Sequence, residues 1–142
     1  RRHMNIAFLL TPKNEVIYEY LDATMRQVME RMDHHGYTAI PLIDRSGRYV
    51  GTLTEGDLLR KLKNTPDLNF KNTGNIKISD IPRRKKHKSV SISADVESVI
   101  SLATSQNFVP VIDDNGTFIG ILKRSDIINY CYNVIKKEKS MI

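Results

Sequence analysis

Two aspartates sit where a carboxylate could hold a sugar. Asp57 follows the hydroxyl of Thr54 by three residues and directly precedes the apolar positions Leu58, Leu59 and Leu62. At the start of a helix, such a carboxylate can accept two hydrogen bonds from a ribose diol, while the hydroxyl and the free N–H groups of the first turn face phosphate. The same placement also serves the helix alone, because a negative charge in the first turn caps N–H groups and is favoured by the macrodipole. Asp126 stands at the matching place ahead of Ile127 and Ile128, and both readings apply to it as well.

Other reactive chemistry is thin. His34 and His35 adjoin at an apparent helix end, where successive side chains point to different faces, and no His, Glu or Cys at i, i+4 spacing completes a set of ligands, so no metal and no resident cofactor is expected. His34 also precedes Tyr37 by about one helical turn. There is no Gly-rich phosphate loop, no Gly-x-Ser-x-Gly elbow and no nameable pair of nucleophile and base, so the chain is not expected to be an enzyme. The one cysteine, Cys131, lies between two tyrosines in a helical stretch and reads as packing. It allows no internal disulfide, which fits a reducing cytoplasm.

Charge narrows the partners. Twenty-two Lys plus Arg against 16 Asp plus Glu give +6, but the run Arg83 to Lys88 holds five of those cations, leaving an excess of only +1 elsewhere. A nucleic-acid binder spreads basic residues over a face and interleaves aromatics for stacking; this run has none, so it reads as a solvated linker and a nucleic-acid partner is not expected. No apolar run is long enough to span a bilayer, so no membrane association is expected. Residues 1–3 read as vector-derived, with a native start at Met4, because nothing resembling a signal peptide follows.

The elements that must position these residues come as an internal repeat. Residues 41–59 align on 110–128 at an offset of 69 without a gap, placing Pro41, Asp44, Gly47, Gly51 and Asp57 on Pro110, Asp113, Gly116, Gly120 and Asp126. Upstream, Met25, Val28, Met29 and Met32 match Val96, Val99, Ile100 and Ala103 at an offset of 71, so the loop before the proline is two residues longer in the first copy. The 3, 4, 7 spacing of those four positions predicts a helix with one buried stripe, opened by Thr24 and Gln27 as a capping box. A short apolar strand (Ala39 to Ile43), a turn (Asp44 to Gly47) and a β-prone run (Tyr49 to Leu53) predict a hairpin, followed by a helix starting near Thr54. Val16 to Tyr20 and Val90 to Ile92 each supply a strand ahead of the first helix of their copy. The last helix runs from about Ser125 into Val134.

The order is therefore β-α-β-β-α, twice, an α/β (α+β) fold of two repeats forming one module with a pseudo-two-fold axis. Residues 4–65 form repeat 1 with an N-terminal segment, 66–80 a connector, 81–135 repeat 2 and 136–142 a tail. A repeat of this size buries little surface by itself, so the copies are expected to share a core. A second chain is expected against the apolar helices of Leu58, Leu59 and Leu62 and of Ile127 and Ile128, giving a homodimer.

The duplicated unit, with Pro41 to Asp44 followed by Gly51 to Asp57, resembles the CBS motif, named after cystathionine β-synthase, over nearly the whole chain. The resemblance implies a non-catalytic regulatory module, a flat dimer and an adenine-nucleotide ligand. In such pairs the helix start of one repeat faces the early strand and pre-proline loop of the other. This implies one site from Thr54 and Asp57 with Gln106, Asn107 and Phe108, and another from Lys123, Arg124, Ser125 and Asp126 with Ile17, Tyr37, Thr38 and Ala39. Phe108 stands where the first copy has the small Ala39, so its ring is expected to close the first of these sites. Tyr37-Thr38-Ala39, Asp80 to Arg83 and the segment Phe8 to Leu10 are also similar to small stand-alone CBS proteins of Gram-positive bacteria that bind cyclic di-AMP. In those proteins the Tyr-Thr-Ala segment holds adenine, and basic residues at the Lys123-Arg124 position hold phosphate. Retention of Asp126 departs from that subgroup and keeps AMP, ADP and ATP in contention. A protein partner that reads the ligand state is implied; its identity is not.

Overall fold

Thr24 opens the first long helix as a capping box: its hydroxyl accepts from the Gln27 N–H at 3.1 Å, and the Gln27 side-chain oxygen accepts from the Thr24 N–H at 2.8 Å. The structure, a computed structural model, describes residues 5–140; the expected native start at Met4, the three residues before it and the end of the tail lie outside the described residues. The strands are β1 (Thr11–Pro12), β2 (Glu19–Tyr20), β3 (Ala39–Ile43), β4 (Tyr49–Thr54), β5 (Val90–Ser91), β6 (Phe108–Ile112) and β7 (Phe118–Lys123). The helices are α1 (Met25–His35), α2 (Glu55–Asn64), α3 (Val96–Ala103) and α4 (Arg124–Ser140). The fold is mixed α/β with the repeat carried through both copies.

Each hairpin is turned by the same device. The Asp44 carboxylate accepts from the N–H groups of Ser46 and Arg48 at 2.9 and 3.0 Å, and Asp113 accepts from those of Asn115 and Thr117 at 2.9 and 3.0 Å. The repeated aspartate is thus explained locally, by a turn, and needs no ligand.

The described residues divide into two compact units, and the division does not follow the repeat. One unit runs from Ile17 to His87; the other joins the leading segment through Val16 to the stretch from Lys88 onward. In the first unit, β2 pairs parallel with β3, and β3 antiparallel with β4. Met25, Val28 and Met32 of α1 pack with Ile40, Leu42 and Leu53 of the hairpin. Residues 66–80, expected as a connector, join this core, because Ile78 is wholly buried and the N–H groups of Ile78 and Ser79 donate to the carbonyls of Ala23 and Leu21 at 2.8 and 3.0 Å. A fully buried isoleucine contributes about 1.5–3 kcal/mol, enough to hold this short stretch in place.

In the second unit the strand order is β1-β7-β6-β5, and Ile6 is wholly buried with Val99, Val109, Val111, Leu122 and Ile127. The leading segment therefore completes the core of the second copy, where the sequence reading had grouped it with the first. Gly120 explains the closeness: β1 crosses directly over it, and a Cβ there would collide with the Thr11 carbonyl oxygen. At the equivalent Gly51 the neighbour is the Arg83 side chain, whose Nε lies 3.0 Å from where a Cβ would stand. Of the helix positions expected to meet a second chain, Leu59, Leu62 and Ile128 are exposed. Ile127 is buried and Leu58 packs against the core of its own unit, as the inward turn of each helix requires.

Candidate functional site

The start of α2 is closed on itself. The Thr54 hydroxyl accepts from the Asp57 N–H at 3.2 Å, and Asp57 Oδ2 accepts from the Thr54 N–H at 3.0 Å, a reciprocal capping box. The other oxygen, Oδ1, takes Nη2 of Arg60 at 2.5 Å and the backbone N–H of Arg84 at 3.2 Å. Asp57 is 2% exposed, so burial of its charge is offset by one guanidinium and two peptide N–H groups that occupy both oxygens. A ribose diol reaching this carboxylate has to displace Arg60 or Arg84. Of the two roles open to Asp57 from sequence, the structure shows it as a helix cap.

The start of α4 is built differently. Lys123, where the first copy has Thr54, has no acceptor, so a reciprocal box cannot form. Lys123 and Ser125 are exposed, Arg124 and Asp126 half-buried, and no hydrogen bond or ion pair to the Asp126 carboxylate occurs among the described residues. Arg124 is partly committed: its N–H donates to the Asn107 carbonyl at 3.0 Å and its Nε to the Ala103 carbonyl at 2.9 Å, which caps the end of α3.

The remaining expected residues are adjacent to these helix starts within each unit. In the first, Ala39 pairs with Thr54 across β3 and β4, and the Thr38 carbonyl accepts from the Glu55 N–H at 2.9 Å. Tyr37 is 46% exposed and stacks on His35 at 5.7 Å, while Ile17 packs against the core. His34 and His35 were expected on different faces; their rings instead meet edge-on at 4.8 Å, and it is His35 that reaches Tyr37. In the second unit, Phe108 pairs with Lys123 across β6 and β7. Gln106 is buried, bonding the N–H and carbonyl of Lys88 at 2.8 and 3.0 Å, which fixes the entry to β5 and leaves little of its amide for a ligand. Thus the structure brings Thr38 and Ala39 to Thr54, and Asn107 and Phe108 to Lys123. Ile17, Tyr37, Thr38 and Ala39 belong to one unit and Lys123 to Asp126 to the other.

Two titrating groups near the basic run are displaced from their usual values. Burial pushes the Tyr49 hydroxyl up to about 12, opposed by its 2.7 Å hydrogen bond with Thr52. Burial, then the Lys85 charge, lowers the His87 imidazole. Sequence reasoning missed Arg60 and Arg84 as partners of Asp57. The i, i+3 spacing of Asp57 and Arg60 was a usable signal; the approach of the Arg84 backbone had none. No group of three His, Cys, Asp or Glu able to hold a metal occurs among the described residues, and none of their helices is long and apolar enough to cross a membrane.

A family model described as the CBS domain matches residues 9–64 and 78–133. A CBS domain-containing protein of Dictyostelium discoideum is 25% identical over 123 residues, covering 82% of this chain and 84% of that protein. The crystal structure of a Listeria monocytogenes CbpB protein in complex with c-di-AMP superposes with a TM-score of 0.80 at 17% identity, covering 94% of this chain and 98% of that one. That of CBSX2 in complex with AMP gives 0.72 at 22% identity, covering 92% and 97%.

Proposed function

Because the chain belongs to the CBS domain family and carries two copies of the domain, we propose that it is a non-catalytic regulatory module that binds one adenine nucleotide, cyclic di-AMP, at the start of α4. The carrying observation is the unequal state of the two repeated aspartates, Asp57 paired at both oxygens and Asp126 without a partner among the described residues. In this reading Lys123 and the outer nitrogens of Arg124 meet the two phosphate charges, and Ser125 and the first-turn N–H groups add neutral donors. Asp126 accepts from a ribose 2′ hydroxyl, and adenine lies against Ile17, Tyr37, Thr38 and Ala39. The site of Thr54, Asp57, Asn107 and Phe108 takes no nucleotide. The c-di-AMP complex of the Listeria protein supports this choice of ligand.

A second reading, AMP, ADP or ATP, is favoured by Asp126 itself. A mononucleotide offers both ribose hydroxyls to the carboxylate, whereas in cyclic di-AMP the 3′ oxygen is esterified. The AMP complex of CBSX2 supports it too. Parallel calorimetric titration with the four nucleotides decides: tightest binding of cyclic di-AMP, weakened by Lys123→Ala, is expected. Unchanged cyclic di-AMP affinity in Lys123→Ala and Arg124→Ala, together with AMP or ATP binding abolished by Asp126→Ala, installs the second reading.

The module acts in the cytoplasm as a homodimer through the exposed Leu59 and Leu62 of α2 and Ile128, Tyr132 and Ile135 of α4. A protein partner reads the nucleotide state, with a coupling free energy of about 1–3 kcal/mol between ligand and partner. Sedimentation giving a monomer at tens of micromolar, with and without nucleotide, contradicts the dimer.

A further inference from the structure

The basic run reads from sequence as a solvated linker, and the structure pins it instead. Ile81 is 3% exposed, and the Arg84 N–H is held on Asp57 at 3.2 Å. This lays the run along the flank of α2 and creates two concave clefts. One, of about 390 Å³, lies between Arg60 and Lys61 on the helix and Pro82, Arg83 and Arg84 on the run. The other, of about 450 Å³, has Arg83, Lys85, Lys86 and His87 above Gly51 and Thr52 of β4. Pro82 and Arg83 belong to both.

Asp57 is buried and committed to Arg60, and no ion pair reaches Lys61, Arg83, Arg84 or Lys86 among the described residues. His87 Nδ1 is buried in the second cleft. Cations gathered in concave surface raise one another's energy, and a multivalent anion relieves this while replacing water with charge-assisted hydrogen bonds. Guanidinium groups bind phosphoryl oxygens in pairs, and both volumes fall in the range of small-ligand clefts.

We propose that the joined clefts between α2 and the run Pro82 to His87 bind an oligophosphate anion, a molecule with two or more linked phosphoryl groups. Two cationic clefts meeting at Arg83 suit one phosphoryl group each, which a single phosphate cannot fill. Concavity favours a small anion over the face of an acidic protein. Neither cleft is lined by a Phe, Tyr or Trp ring, and a nucleic acid, which needs a broad stacking platform, is disfavoured. The site lies wholly within residues 50–87 and requires no adenine, so it is independent of the nucleotide reading above.

The test titrates inorganic tripolyphosphate, pyrophosphate and orthophosphate into the full chain by calorimetry. Tripolyphosphate and pyrophosphate are expected to bind with orthophosphate at least tenfold weaker, and affinity should fall steeply with added salt. Arg84→Ala keeps the N–H on Asp57, and Lys61→Ala lies on an accessible helix face, so both variants should fold, which thermal melts verify. Each should weaken tripolyphosphate binding about tenfold to a hundredfold, with Arg84→Lys recovering only part of it, since an ammonium keeps the charge and loses the paired hydrogen bonds. Equal affinity for ATP and tripolyphosphate identifies the phosphate chain as what is read. Tighter ATP binding that Arg84→Ala removes identifies a nucleoside polyphosphate as the source. No binding of tripolyphosphate at millimolar concentration, affinity unchanged in both variants, or binding only of an oligonucleotide or an acidic peptide through these residues overturns the proposal. Cyclic di-AMP titrated into the same variants should show its affinity unaltered, and its failure to bind anywhere bears on the nucleotide reading alone.

Discussion

At the start of α2, Asp57 is buried, capped and paired; at the equivalent start of α4, Asp126 is half-buried and without a partner among the described residues. The two positions coincide in the repeat, but their neighbours differ: Thr54, Glu55, Gly56 and Arg60 stand against Lys123, Arg124, Ser125 and Asn129. Thr54 supplies a hydroxyl that completes a capping box, while Lys123 supplies a cation that cannot. A helix start that satisfies its own groups is structural. One that leaves a carboxylate and a cation unspent can serve a ligand. Divergence of these few neighbours after duplication is enough to turn two equivalent helix starts to different ends.

The largest expected effect is on stability. Asp57→Ala removes a cap worth about 1 kcal/mol and a buried partner of Arg60, and should destabilise the chain by roughly 2–4 kcal/mol in urea melts. Asp126→Ala should cost under about 1 kcal/mol, since nothing folded depends on it. Comparable losses for the two would erase the contrast. Next, Lys123→Ala should weaken cyclic di-AMP binding by roughly tenfold to a hundredfold in calorimetry, as loss of one charge-assisted hydrogen bond does.

A sharper version rebuilds the first copy in the second. Lys123→Thr gives α4 its missing hydroxyl, so stability should rise by about 0.5–1 kcal/mol while cyclic di-AMP affinity falls. A variant that is no more stable shows that Asp126 is held away from the capping position by something other than Lys123.

The smallest effect concerns pH. Burial and the Lys85 charge hold the His87 imidazole below its ordinary 6.5, while Asp57 and the backbone oppose them, and Arg83 and Lys86 line the same cleft. A histidine that protonates less readily when folded contributes its full stability above the unfolded value. That stability is lost as pH falls below about 6.5 and through the folded value. Urea midpoints at pH 7.5 and 5.5 should therefore converge in His87→Gln relative to the parent chain. An unchanged gap between them shows that other groups carry it.

Much of this was legible in the residues. The repeat, the two hairpins and the stripe of Met25, Val28 and Met32 follow from local periodicity, and Thr24 with Gln27 announces its own capping box. The segment exchange was not legible: whether Ile6 and Ile78 join the first or second copy depends on contacts distant in sequence, and their apolarity says only that they are buried. The commitment of Asp57 was half legible. Its hydroxyl spacing allowed a cap or a ribose, and the choice rests on the Arg84 backbone, which carries no side-chain signature. Lys123 was legible as a departure from the repeat, and the loss of the capping box is its direct chemical consequence.

The central claim is that one nucleotide binds per chain, at the helix start that Asp126 and Lys123 leave open. Calorimetric titration of cyclic di-AMP into the wild-type chain, repeated in Lys123→Ala, reads both halves of it. The account predicts one site per chain and an affinity loss of at least about tenfold in the variant. Two equal sites per chain, or an affinity that Lys123→Ala leaves unchanged, would contradict it.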